Sequence, residues 1–122
     1  MFEISQRFFF DAAHTLQREI DVEPSRRIHG HTYDAEVSIE GVPNPVTGMV
    51  ADLGHLRREL AQLRERMDHT LLDDVQGLGI PTLENLCVFI ADALRGAGYD
   101  VSRVSVWRER TGDRCDFRPA TR

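Results

Sequence analysis

The sequence predicts an α+β fold, a mostly antiparallel sheet with two helices on one face. Three observations predict it. Two stretches near the start alternate apolar and polar residues with a period of two. Two central stretches repeat apolar residues every three or four positions, the spacing of amphipathic helices. Two short strand-like segments close the chain, which gives the order β-β-α-α-β-β.

The first strand runs from Met1 to about His14. Phe2, Ile4, Phe8, Phe10, Ala12 and His14 share its even-numbered face. Residues 29–40 form the second strand, with Tyr33, Ala35, Val37 and Ile39 on one side and Asp34, Glu36, Ser38 and Glu40 on the other. Gly41 to Gly48, with Pro43 and Pro45, reads as a turn-rich connection. A helix then begins at Asp52, a good N-cap, and carries the stripe Leu53, Leu56, Leu60, Leu63 and Met67. After a loop from Asp73 to Pro81, Thr82 caps a second helix with the stripe Leu83, Leu86, Ile90, Ala93 and Leu94, ended by Gly96 or Gly98. Val101 to Glu109 and Cys115 to Phe117 supply the last strands.

Composition narrows the function without naming it. The chain has 122 residues and no repeat or linker, so one domain spanning 1–122 is expected. A net charge of −5 without a basic stripe argues against general nucleic-acid binding. No apolar run approaches the roughly 20 residues of a membrane span. The start MFEISQRFFF lacks the basic and apolar regions of a secretory signal. Cys87 and Cys115 form no CxxC pair or disulfide framework, which suits a reducing cytosol, and Cys87 reads as a small buried filler. A cytoplasmic location is therefore expected.

The histidines carry more. His29 and His31 are two apart on a strand, so both imidazoles point to one side and can converge on one ion. Gly30 between them permits close approach. His14 ends the preceding strand on the face of Phe8 and Phe10, so a hairpin would bring all three together. Three neutral imidazoles with an open fourth position form the arrangement of a catalytic zinc site. The same pattern also suits surface or hydrogen-bonded histidines, and spacing alone leaves both readings open.

FDAAH (Phe10 to His14), HGHTY (His29 to Tyr33), GMVADL (Gly48 to Leu53), MDHTLL (Met67 to Leu72), PTLEN (Pro81 to Asn85) and WRERT (Trp107 to Thr111) resemble, in order, motifs of the 6-pyruvoyl-tetrahydropterin synthase family. That family has a bacterial branch of 6-carboxytetrahydropterin synthases acting in queuosine biosynthesis. The resemblance spans nearly the whole chain. It implies the tunnelling fold, in which subunits join into trimeric barrels and two trimers stack into a homohexamer with active sites between subunits. It implies a zinc-dependent lyase acting on 7,8-dihydroneopterin triphosphate, with His14, His29 and His31 as zinc ligands.

By the same resemblance Asp68 and His69 are an acid/base pair. Physically, a carboxylate beside an imidazole fixes its tautomer and tunes it for proton transfer near neutral pH. Neighbours on a strand would diverge, so this pair should sit at a helix end or turn. Glu109 matches the acid that anchors the pterin, where a carboxylate accepts two parallel hydrogen bonds. Thr82 matches a residue near the pterin besides capping its helix. The family's catalytic cysteine falls four residues before HGH, and Ser25 stands there. A serine hydroxyl is a far weaker base than a thiol, so Ser25 would need activation by zinc or His69. Otherwise Glu23 or His69 supports the reaction, the chemistry has drifted towards side-chain cleavage, or the chain binds zinc and pterin without turnover.

Overall fold

In the computed structural model, which describes residues 1–120, strand β1 (Phe2–His14) pairs antiparallel with β2 (His29–Gly41) over thirteen residues each. Helix α1 (Val22–Arg26) lies between them. Helices α2 (Leu53–Met67) and α3 (Leu83–Gly96) follow, separated by a 3-10 turn at Leu72–Asp74. Strands β3 (Arg103–Arg108) and β4 (Asp113–Phe117) complete a sheet of order β1-β2-β3-β4, antiparallel throughout. The expected α+β architecture holds, with two short elements more than the sequence announced, α1 and the 3-10 turn. Helix α1 is five residues long, contains Pro24 and has no apolar period, so no pattern exposed it.

The parity arguments hold where the helices cover the sheet. Phe10, Ala12 and His14 of β1 are buried, as are Tyr33, Ala35, Val37 and Ile39 of β2. Phe2 shares their parity but remains 61% exposed, because the core ends before the strand does. Ser38 departs from the pattern in the other direction. It lies on the outer face yet is fully buried, since Ser5 Oγ sits 2.8 Å away and Arg103 donates to its hydroxyl at 3.0 Å.

Leu56, Leu60, Leu63 and Met67 of α2 and Leu86, Ile90 and Leu94 of α3 form the helical side of the core. Cys87 is fully buried as a filler, and burial pushes its thiol well above the ordinary range. The caps are as expected. Asp52 accepts from the Gly54 amide at 2.8 Å and Thr82 from the Asn85 amide at 3.1 Å. Gly98, at φ 93°, ends α3 in the left-handed conformation that favours glycine. Among the described residues no helix is long and apolar enough to cross a membrane.

Truncation at the centre of this core tests the packing. Ile90→Ala should cost about 2–5 kcal/mol, because Ile90 is fully buried and a cavity remains. Val88→Ala, one turn-face away and 39% exposed, should cost well under that. Urea denaturation midpoints at unchanged slope measure both.

Candidate metal centre and adjoining cavity

The register of the hairpin pairs His14 with His29 and Ala12 with His31, so the three histidines occupy one corner of the core face. Their ring centroids lie 4.6, 4.8 and 4.9 Å apart. One nitrogen from each can be chosen so that all three lie within 4.8 Å of one another. The tautomers of two are set by carbonyls. His14 Nδ1 donates to the Pro81 carbonyl at 3.0 Å, and His29 Nδ1 donates to the Arg27 carbonyl at 2.8 Å. Each leaves its Nε2 lone pair free, the arrangement in which a backbone carbonyl orients a metal-binding imidazole.

The fit to a metal rests on one atom. His14 is 1% exposed, and its Nε2 is buried with no hydrogen-bond partner. An orphaned acceptor there is costly unless a ligand completes it. Burial also pushes the His14 ring towards its neutral form, against the pull of the Pro81 carbonyl. His31 is pushed down to about 4, first by burial and then by the charge of Arg108. Neutral imidazoles are the form that binds a metal. Zinc therefore suits this donor set, with a position left for substrate or water.

The segment after α2 is tied to the end of β1 as a short parallel extension. The His69 amide donates to the Asp11 carbonyl at 2.6 Å, and the Ala13 amide to the Thr70 carbonyl at 2.9 Å. Asp68 is the C-cap of α2, and His69 stands at φ 57°, an uncommon conformation for a residue with a side chain. The expected helix-end placement of the pair is what the structure has. Asp68 Oδ1 accepts the Asp11 amide at 2.9 Å, and Oδ2 accepts from His69 Nδ1 at 2.9 Å. The Asp11 amide, more than His69 or Arg64, holds the Asp68 carboxyl below the usual carboxylate range.

His31 and His69 line the same cavity, of about 770 Å³, together with Asp11, Gly30 and Glu109. That volume suits a small organic ligand. Glu109 is exposed on its rim, directly after β3. A Cβ on Gly30, which lines the cavity, would lie an ordinary 3.7 Å from the Ala12 carbonyl, so packing does not demand the glycine.

Five expected residues are outside the lining: His14 and His29, which join it through their cluster with His31, Asp68, which joins it through His69, and Ser25 and Thr82. Ser25, 7% exposed on α1, does not line the cavity, and its carbonyl accepts the Leu16 amide at 2.7 Å. Thr82 also lies outside the lining, and its hydroxyl is engaged as the cap of α3. The residue before it is the one that matters to the histidines, through the Pro81 carbonyl. Glu23 is exposed on α1, 3.9 Å from Arg27. Sequence reading also passed over Arg108, which the phase of Val104 and Val106 puts on the buried face of β3.

The sequence profile described as "6-pyruvoyl tetrahydropterin synthase" matches residues 3–120. The chain belongs to this family. Within the 6-pyruvoyl tetrahydropterin synthase family, it is 34% identical over 103 residues to the 6-carboxy-5,6,7,8-tetrahydropterin synthase of Synechocystis sp., covering 80% of this chain and 78% of that one. It is 30% identical over 107 residues to the dihydroneopterin monophosphate aldolase of Pyrococcus furiosus, covering 85% and 87% respectively. The fold matches the 6-pyruvoyl tetrahydropterin synthase structure of Caenorhabditis elegans with a TM-score of 0.79, at 21% identity over 98% of this chain and 96% of that one. The tunnelling fold expected from the motifs is thus the fold observed.

The depressed His31 gives a pH dependence with a definite sign. In metal-free protein the unfolded chain takes up a proton near the ordinary histidine pKa of about 6.5, whereas folded His31 resists until about 4. Its contribution to stability is therefore complete above pH about 6.5 and lost as pH falls towards 4. Thermal melts of chelator-treated protein should show this loss, and His31→Gln should flatten it between those limits.

Proposed function

We propose that this chain is a zinc-dependent lyase of pterin biosynthesis, acting on 7,8-dihydroneopterin triphosphate in the manner of a 6-carboxytetrahydropterin synthase. The named activities of the Synechocystis and Pyrococcus relatives support the pterin class. The observation that carries the rest is the orphaned Nε2 of His14, clustered with His29 and His31 beside a cavity that His69 also lines.

His14, His29 and His31 would hold the ion, and zinc bound there would supply Lewis acidity, lowering the pKa of substrate hydroxyls and stabilising enolate-like charge. His69 moves the protons. Its Nδ1 is tied to Asp68, so its Nε2 is the nitrogen left to accept or deliver one. Asp68 holds that tautomer, and its own place is fixed by the Asp11 amide and by Arg64, whose NH2 lies 3.3 Å away. Glu109, on the rim, accepts the paired donors of the pterin edge. Ser25 takes no direct part, being buried away from the cavity wall, and Thr82 acts as a helix cap. The cavity is open on one side, and we infer that subunits of a homohexamer enclose it, the exposed Ile28 at its edge being part of the contact.

Incubation with 7,8-dihydroneopterin triphosphate, with and without chelator, followed by mass spectrometry tests the reading. Metal-dependent consumption is expected, and the product mass separates carboxy, pyruvoyl and hydroxymethyl outcomes. Binding without turnover would instead mark an inactive paralogue. His69→Ala should lower kcat by about 10²–10⁴, the usual weight of a general acid–base group. Ser25→Ala should change kcat far less than His69→Ala, because Ser25 is buried on α1 and outside the lining that His69 shares. Light scattering should return six times the 13.9 kDa chain mass.

A further inference from the structure

Arg108 is the one buried arginine among the described residues, 7% exposed at the end of β3. It lines the cavity on the side of the histidines. One terminal nitrogen, NH2, donates to Asp113 Oδ2, and the other, NH1, approaches His31 Nε2 at 3.4 Å. The Arg108 Nε is buried and has no partner at all. A guanidinium carries five N–H groups, and leaving one unmet in the interior is costly.

The surrounding charges say what would meet it. Asp113, the facing carboxylate, is already shared, since its Oδ2 accepts Thr111 Oγ1 at 2.8 Å as well as Arg108. A metal dication at the triad would place further positive charge beside a guanidinium whose one carboxylate partner is already shared. None of the other acids of the lining, Asp11, Asp34 and Glu109, is paired with Arg108. Asp11 is engaged by Thr32 at 2.5 Å, and Glu109 is solvent-exposed on the rim. An ion held through His31 Nε2 would also take the lone pair that Arg108 now approaches, which frees a second donor.

We propose that Arg108 is a specificity-determining residue of this cavity, holding an anionic oxygen of the ligand, carboxylate or phosphate, beside the histidine triad. The inference rests on the reading of that triad as a metal centre. Fork-like donation makes the site selective for oxyanions over neutral hydroxyls.

Cobalt(II)-loaded protein, whose visible absorption reports groups entering the metal's surroundings, allows a test without pterin. Acetate and inorganic phosphate are titrated separately, and the tighter of the two identifies the class of anion. That anion should bind about tenfold more weakly to Arg108→Met, with cobalt affinity unchanged within about twofold. Arg108→Lys keeps the charge opposite Asp113 and loses the fork, so it should also weaken the anion, and it decides the matter if Arg108→Met fails to fold. Cobalt uptake with anion affinity equal in wild type and variant overturns the role of Arg108 and leaves the metal centre standing. No cobalt uptake overturns both.

Discussion

The antiparallel register of β1 against β2 is the constraint on which the rest of the molecule depends. Side chains alternate along a strand with a period of two, so a slip of one residue would send every inward group outward. The register that buries Phe10, Tyr33, Ala35 and Val37 is the same one that sets His14 opposite His29. The core therefore enforces the donor cluster. Three imidazoles are held together against their own burial cost because the aromatic and aliphatic residues behind them fix the pairing. Tyr33 joins the two, stacked on Phe10 at 5.0 Å and with its hydroxyl 3.3 Å from His14 Nδ1.

Backbone groups do the remaining positioning. The Pro81 carbonyl, just ahead of the α3 cap, orients His14, and the Arg27 carbonyl orients His29. Each half of the fold thus reaches the donor cluster through a peptide oxygen. Such contacts are indifferent to the identity of the side chains at Pro81 and Arg27.

Much of this was legible in the sequence. Period-two and period-three-to-four patterns located both long strands and both long helices, and parity alone placed His14, His29 and His31 on one face. The position of Asp68 and His69 at the end of α2 followed from where the Leu53–Met67 stripe stops. Short and local features were not legible. Helix α1 has no period to detect, and the burial of Ser25 on it depends on a fold-back whose contacts are between backbone groups. The burial of Arg108 was obscured because it stands in the charged run Arg108-Glu109-Arg110, which reads as a solvated strand end. The alternation of Val104 and Val106 would have placed Arg108 inward and Glu109 beyond the strand end. The burial of Ser38 was hidden for a different reason, since it depends on Arg103 arriving from another strand.

The backbone of Asp11 is used twice, its amide by Asp68 and its carbonyl by His69. Strand end and imidazole are consequently one mechanical unit. Length changes in the chain will be tolerated unevenly as a result. A residue gained between Gly41 and Asp52 only lengthens a turn. A residue gained inside α2 would rotate everything beyond it by about 100° and part Asp68 from the strand that holds it. Natural variation in chain length should therefore gather in the loops, while the span from the Asp52 cap to His69 keeps its count.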